Sequence, residues 1–287
     1  MDKQGRDMQV SGCESASSSS GQEAHTNGTV GGYDPKFYEE IFAAEDRHFW
    51  FRGRNRIIEA ALSGIIATLP EDGHVLEVGC GSGNTLRVLQ RVCAPRLVIG
   101  MDLFAEGLGY ARARGADFLV QGDVSRPPFR VPFDLIGMFD VLEHIPEDIA
   151  ALRNLGVLLR SGAHLLLTVP ARASLWSYFD EASHHCRRYE VSELREKLNA
   201  TGYDIEYITE FMTCSYPMVW LQRRLLGRRK ASQAGAMETA KRDLRINPAL
   251  NGVLGILQSV ETMLVARQRR LPFGTSILVM ARKRVAP

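Results

Sequence analysis

Hydrophobic residues in this 287-residue chain follow two periods, and the two alternate along it. Short, nearly continuous apolar runs at 74–78, 97–101, 118–120, 133–139, 164–169 and 203–208 have the length and composition of buried strands. Between them, residues 85–93, 105–114, 146–159 and 192–200 carry apolar positions three and four apart, the spacing of a helix that buries one face. Strands alternating with helices at this interval predict an α/β fold: a doubly wound, mostly parallel sheet with helices on both faces. The run "GTSILVMARK" at 274–283 adds a seventh strand. Ahead of the first strand, Phe37, Ile41, Ile57, Ile58, Leu62 and Ile65 predict helices across 35–66, broken near Gly53.

The same pattern divides the chain. Residues 1–32, with "SASSSSGQ", offer almost nothing to bury and predict a disordered tail, with order from about Tyr33. Residues 33–210 hold the N-terminal helices and six strands. Residues 211–272 interrupt the alternation with two apolar-rich helical stretches, "SYPMVWLQRRLLG" and "LNGVLGILQSVETMLVARQ". A polar linker, "RRKASQAGAMETAKRD", separates them. This is a helical insertion before the last strand, which with the C-terminus fills 273–287.

Composition changes the picture little: 45% hydrophobic and 24% charged residues are ordinary for a soluble globular protein. The net charge of +2 conceals an asymmetry, because Arg223 to Arg284 holds 14 Lys/Arg against 3 Asp/Glu. Such a surface suits phosphate or an anionic membrane, and a solvated helical face accounts for it equally well. Five cysteines, an odd number without a C-x-x-C pair, read as reduced thiols in a cytoplasmic protein. No apolar run reaches the roughly 20 residues of a bilayer span, and the N-terminus lacks the apolar segment of a secretory signal.

The candidate chemistry begins at "HVLEVGCGSGNTLRVL", where Gly79, Gly81 and Gly83 follow the first strand. The dinucleotide fingerprint G-x-G-x-x-G would put its third glycine at position 84, which is Asn84. Glu77 lies two residues before the first glycine, where a carboxylate repels a pyrophosphate and suits a cation. Asp102 closes the second strand in "IGMDLF" and can accept hydrogen bonds from both hydroxyls of a ribose. Asp123, in "VQGDV" after the third strand, is a candidate acceptor for an adenine amino group. A ribose, a purine and a positive charge in place of a diphosphate describe S-adenosyl-L-methionine.

At these residues, together with "FDLIGMFDVLEHIPED" and "GAHLLLTVP", the chain resembles the class I S-adenosylmethionine-dependent methyltransferases over about residues 74–170. "EDRHFWFRGRNRII" and "HHCRRYEVSELREKLNATGY" are similar to a subgroup of small-molecule methyltransferases related to the ubiquinone-biosynthesis type. The resemblance implies a Rossmann-like seven-stranded fold and methyl transfer to a small-molecule or lipid-like acceptor, leaving S-adenosylhomocysteine. It also implies that Gly79, Gly81 and Gly83 line the methionine part of the cofactor. Asp102 with Leu103 takes the ribose, Asp123 with Val124 takes the adenine, and Arg54 reaches the cofactor carboxylate.

For acceptor chemistry, His144 in "DVLEHIPED" is either a general base or a packed histidine at a helix start. Asp140, Glu143 and His144 approximate an acidic-x-x-Glu-His metal set of some relatives, but the shorter Asp140 stands where those have Glu, and no metal is expected. His184 and His185 leave three readings open: a lid, a second base or an exposed loop. Phe49, Trp50 and Phe51 cannot share one helical face, so some are expected in core and some in a pocket. Cys80 has no adjacent base, which argues against a covalent route. The insertion is either a lid packed on the core or a weak peripheral membrane contact. Rival functions are nucleic-acid modification and a degenerate partner subunit that binds the cofactor without catalysis. No RNA-binding module and no N/D-P-P-Y/F motif is present, so no nucleic acid is expected as partner.

Overall fold

Strands buried on both faces must be apolar at nearly every position, and all seven residues of β4 (Phe133–Phe139) are buried. The computed structural model describes residues 37–226 and 248–285. The Ser-rich tail, the onset near Tyr33 and the linker of 228–243 lie outside the described residues. The other strands are β1 (His74–Val78), β2 (Leu97–Asp102), β3 (Leu119–Gln121), β5 (Leu159–Pro170), β6 (Tyr203–Phe211) and β7 (Ser276–Lys283). They form one sheet in the order β3-β2-β1-β4-β5-β7-β6. β7 runs antiparallel to both β5 and β6, while β1, β2, β3, β4 and β5 pair in parallel. The sheet is therefore the seven-stranded, mostly parallel one that the alternation predicts. β5 starts five residues earlier than the 164–169 run suggests, its first residue pairing with Phe133 across a register shift.

The helices are α1 (Phe37–Glu45), α2 (Phe49–Ile65), α3 (Leu86–Cys93), α4 (Ala105–Ala113), α5 (Asp148–Leu158), α6 (Tyr178–Ala182), α7 (Val191–Ala200), α8 (Tyr216–Leu226) and α9 (Pro248–Ala266). Successive strand residues serve opposite faces. Leu76, Ile136 and Met138 pack with Leu152 of α5 and Leu194 of α7. Val75 and Leu135 pack on the other side with Ile58 and Leu62 of α2 and Leu89 of α3.

Gly53 does not break a helix, contrary to the sequence expectation. The interruption falls at 46–48, where His48 caps α2 by accepting from the Trp50 N–H at 3.2 Å. Gly53 lies inside α2 because α9 crosses there: a Cβ at 53 would sit 2.1 Å from Oε1 of the buried Gln258. The insertion thus supplies a helix docked on the N-terminal one. Arg56 donates to Ser259 Oγ and to the Gly255 carbonyl, each at 3.1 Å, and the Phe49 N–H donates to Asn251 Oδ1 at 2.6 Å. No described helix is long and apolar enough to cross a membrane.

Candidate active site

The strand order reverses direction between β1 and β4, and ligands of open α/β sheets bind beyond the strand ends at such a point. There the glycine loop leaves β1. Gly79 and Cys80 N–H groups both donate to the Met101 carbonyl, at 2.7 and 3.0 Å, which ties the loop to β2. Gly79, Gly81 and Gly83 hold φ of +72°, +49° and +76°. Asp102 closes β2, where its Oδ2 accepts from the Gly81 N–H at 2.7 Å and its Oδ1 from the Phe104 N–H at 2.9 Å. A carboxylate offers about four acceptor positions, so these two donors do not exhaust it.

A cavity of about 470 Å³ opens over this loop. Glu77, Gly79, Gly81, Asp102, Leu103 and Arg54 line it, as do Asp123, Val124, His144 and His185. Gly83 and His184 are not in its wall. Gly83 instead packs on α4, where a Cβ would meet Ala111 Cα at 2.9 Å. Phe49, Trp50 and Phe51 all line the cavity, because the first turn of α2 points its end at the opening; Phe51 is buried and Trp50 also packs on the core. Arg54 is committed within the protein: Nη1 donates to Asp140 Oδ2 at 2.7 Å and Nη2 to Thr85 Oγ1 at 2.8 Å.

Glu77 is 2% exposed, and its Oε2 has no hydrogen-bond partner among the described residues. Burial pushes this carboxyl well above the usual range; Arg54 opposes, and Asp102 and Glu45 add to the rise. A buried carboxyl with an unmet acceptor either stays protonated or takes a cation or a hydrogen-bond donor. Burial, reinforced by Glu77 and Asp102, also pushes the Cys80 thiol far up, which leaves it inert as a nucleophile.

A second group of titratable residues lies where β4 ends. Glu143 is fully buried, neither carboxylate oxygen has a hydrogen-bond partner among the described residues, and burial, then the charge of Asp140, raises its carboxyl. Burial, helped by His185 and His184, pushes His144 down to about 3, so its ring is neutral. His185 stands edge-on to it at 4.7 Å between ring centroids. Asp180 Oδ1 holds His185 Nδ1 at 2.9 Å, and Nε2 lies 3.9 Å from Glu143. Arg188 donates to the same Asp180 oxygen at 2.7 Å. Donor atoms of Glu143, His144 and His185 lie within 4.8 Å of one another and could hold a metal ion. Asp140, weighed as a ligand from sequence, is not in that group and is ion-paired with Arg54 at 2.7 Å. Arg187 and Tyr189 turn away from the cavity to Asp148, each at 2.9 Å.

Residues that sequence spacing did not single out complete the far wall: Phe179, Ser215, Met218, Val219 and Arg223. Ser215, Val219 and Arg223 repeat every four residues, a helical face that could have been read from the insertion.

Residues 42–208 match the family described as "Methyltransferase domain". A fatty-acid O-methyltransferase of Mycolicibacterium smegmatis is 34% identical over 103 residues, 34% of this chain and 37% of that protein. A ubiquinone biosynthesis O-methyltransferase of Proteus mirabilis is 28% identical over 110 residues, 36% of this chain and 44% of that protein. This chain therefore spans less than half the length of either relative. The crystal structure of a SAM-dependent methyltransferase from Thermotoga maritima superposes with a TM-score of 0.51 at 16% identity, covering 87% of this chain and 96% of that one. With the sheet order and the loop geometry, these matches give one conclusion: the chain belongs to the methyltransferase domain family.

Proposed function

We propose that this protein transfers a methyl group to a small, lipid-like acceptor by in-line displacement. The observation that carries the reading is the buried, unpartnered Glu77 oxygen beside the pinned Asp102 carboxylate in one cavity. Glu77 would hold the cofactor ammonium, Asp102 with Leu103 the ribose, and Asp123 with Val124 the adenine, over the backbone of Gly79 and Gly81. When bound, the cofactor supplies an electrophilic methyl on a sulfonium. The protein's share is then to align an acceptor atom behind that methyl and keep water away, which needs position rather than a protein nucleophile. Calorimetry tests this: S-adenosylmethionine and S-adenosylhomocysteine should each bind with one-to-one stoichiometry, and absence of both overturns the reading.

For a protonated acceptor, His185 is the base, its ring oriented by Asp180 in the manner of a carboxylate-held imidazole. His144, kept neutral by burial, forms the wall beside it. His185→Ala should cut kcat about 100-fold and leave S-adenosylhomocysteine affinity unchanged. The metal-binding reading of Glu143, His144 and His185 rests on their mutual distance. It is favoured instead if Mn²⁺ or Zn²⁺ binds the protein and His185→Ala abolishes that binding.

The lipid-like character comes from the apolar far wall and from the outer face of α9. Val253, Ile256, Val260 and Met263 are exposed at helical spacing there, followed by exposed Arg267, Arg269 and Arg270. An apolar stripe with adjoining arginines fits an anionic bilayer surface. Phosphatidylglycerol vesicles should sediment the protein at low salt, and Ile256→Ser with Val260→Ser should reduce the bound fraction. No sedimentation at low salt removes the membrane contact.

A further inference from the structure

Three arginines line the cavity: Arg54, Arg188 and Arg223. Two are already neutralised, Arg54 by Asp140 and Arg188 by Asp180, each across 2.7 Å. The third is different. Arg223, on the last turn of α8, has its Nε and Nη1 buried, and neither has a hydrogen-bond partner among the described residues. Its guanidinium carbon lies 4.8 Å from the centre of the Tyr178 ring. A ring face offsets part of the desolvation of a cation, but it supplies no acceptor for the N–H donors.

The residues around this guanidinium narrow what could satisfy it. Phe179 follows Tyr178 in sequence, Met218 and Val219 lie about one turn before Arg223 on α8, and all three line the cavity with it. The carboxylates of the cavity come from other elements: Glu45 from α1, Glu77 and Asp102 from β1 and β2 beside the loop, Asp123 from the turn after β3, and Asp140 and Glu143 from the end of β4. We infer that Arg223 is the anion anchor of the acceptor site, and that the acceptor is an amphiphile whose apolar body carries a carboxylate or a phosphate. This deepens the proposed methyl transfer and rests on it. Guanidinium presents two parallel donors to either anion. An oxygen held in this way has its lone pairs engaged and is a poor nucleophile, so the bound anion positions the acceptor while another atom of it takes the methyl.

The test uses the full chain with S-adenosylhomocysteine present and three probes: dodecanoate and dodecyl phosphate below their micellar concentrations, and dodecanol below its solubility limit. Calorimetry should show at least one of the two anions binding 10-fold or more tightly than dodecanol, and the tighter of the two identifies the headgroup. Arg223→Gln should bring that anion down to the affinity of dodecanol without changing S-adenosylhomocysteine affinity, which also certifies its fold. Arg223→Lys should keep part of the preference. Dodecanol binding as tightly as the anions overturns the inference. So does an anion affinity that survives Arg223→Gln, or failure of both anions to bind while S-adenosylhomocysteine does. If S-adenosylhomocysteine itself fails to bind but the Arg223-dependent preference persists, the methyl-transfer reading falls and the anion site stands.

Discussion

Alanine at position 79 is expected to lower the unfolding free energy by about 3 kcal/mol, from backbone strain plus overpacking, and to remove cofactor binding with it. Gly79 sits at φ +72°, a conformation that charges any side chain a steric penalty. The added Cβ would also stand 2.3 Å from Val141 Cγ2 and 2.9 Å from Cγ1. Val141 follows β4, so the contact joins the two turns that flank the point where the strand order reverses. The loop cannot move aside without breaking the bonds from Gly79 and Cys80 to the Met101 carbonyl and the seat of Asp102 against Gly81. A protein of this size loses roughly 2–4 °C of midpoint per kcal/mol, so the thermal midpoint should fall by about 10 °C. Combining Gly79→Ala with Val141→Ala removes the two shortest contacts, keeps a tight one at 3.2 Å to the remaining Cβ and leaves the strain, so it should return part of the loss. A variant with unchanged midpoint and unchanged S-adenosylhomocysteine affinity would show that the turn tolerates other conformations.

The elements that position the site were legible because each is local. A buried strand announces itself by a run such as Phe133–Phe139, and the loop by glycines between a strand and a helix. The break assigned to Gly53 failed for a non-local reason: its small size serves Gln258, 205 positions away in sequence, through a helix crossing that periodicity does not encode. The metal set weighed from "DVLEH" kept to neighbours in sequence, whereas the structure replaces Asp140 with His185 from a loop beyond α6. Arg223 was read only as part of a basic segment. What distinguishes it from Arg54 and Arg188 in the same cavity is that they are ion-paired, whereas two buried donors of Arg223 have no partner among the described residues, a property of the packed cavity and of no motif.

Glu77→Gln should do two opposite things, and their opposition identifies the role of the carboxylate. Without ligand, burial raises the Glu77 carboxyl well above its ordinary range. Between the unfolded value and this raised folded value, the native state holds a proton that the unfolded state has released, so stability falls as pH rises through that interval. Glutamine carries no ionisable proton and escapes the loss, so the ligand-free variant should be more stable than the parent at neutral pH and less sensitive to pH. The cofactor reverses the balance: its ammonium favours the ionised carboxylate, which glutamine cannot provide. Removing one member of a buried charge pair typically costs 2–5 kcal/mol, so S-adenosylmethionine affinity should drop about 100-fold. Any gain in affinity that the parent shows as pH rises and its carboxyl ionises should also disappear. Thermal unfolding with and without ligand across that rise in pH measures both effects. A glutamine variant that loses stability yet keeps its affinity would make Glu77 part of the scaffold, whereas a stabilised variant that binds poorly makes it a group held at a folding cost for the ligand it meets.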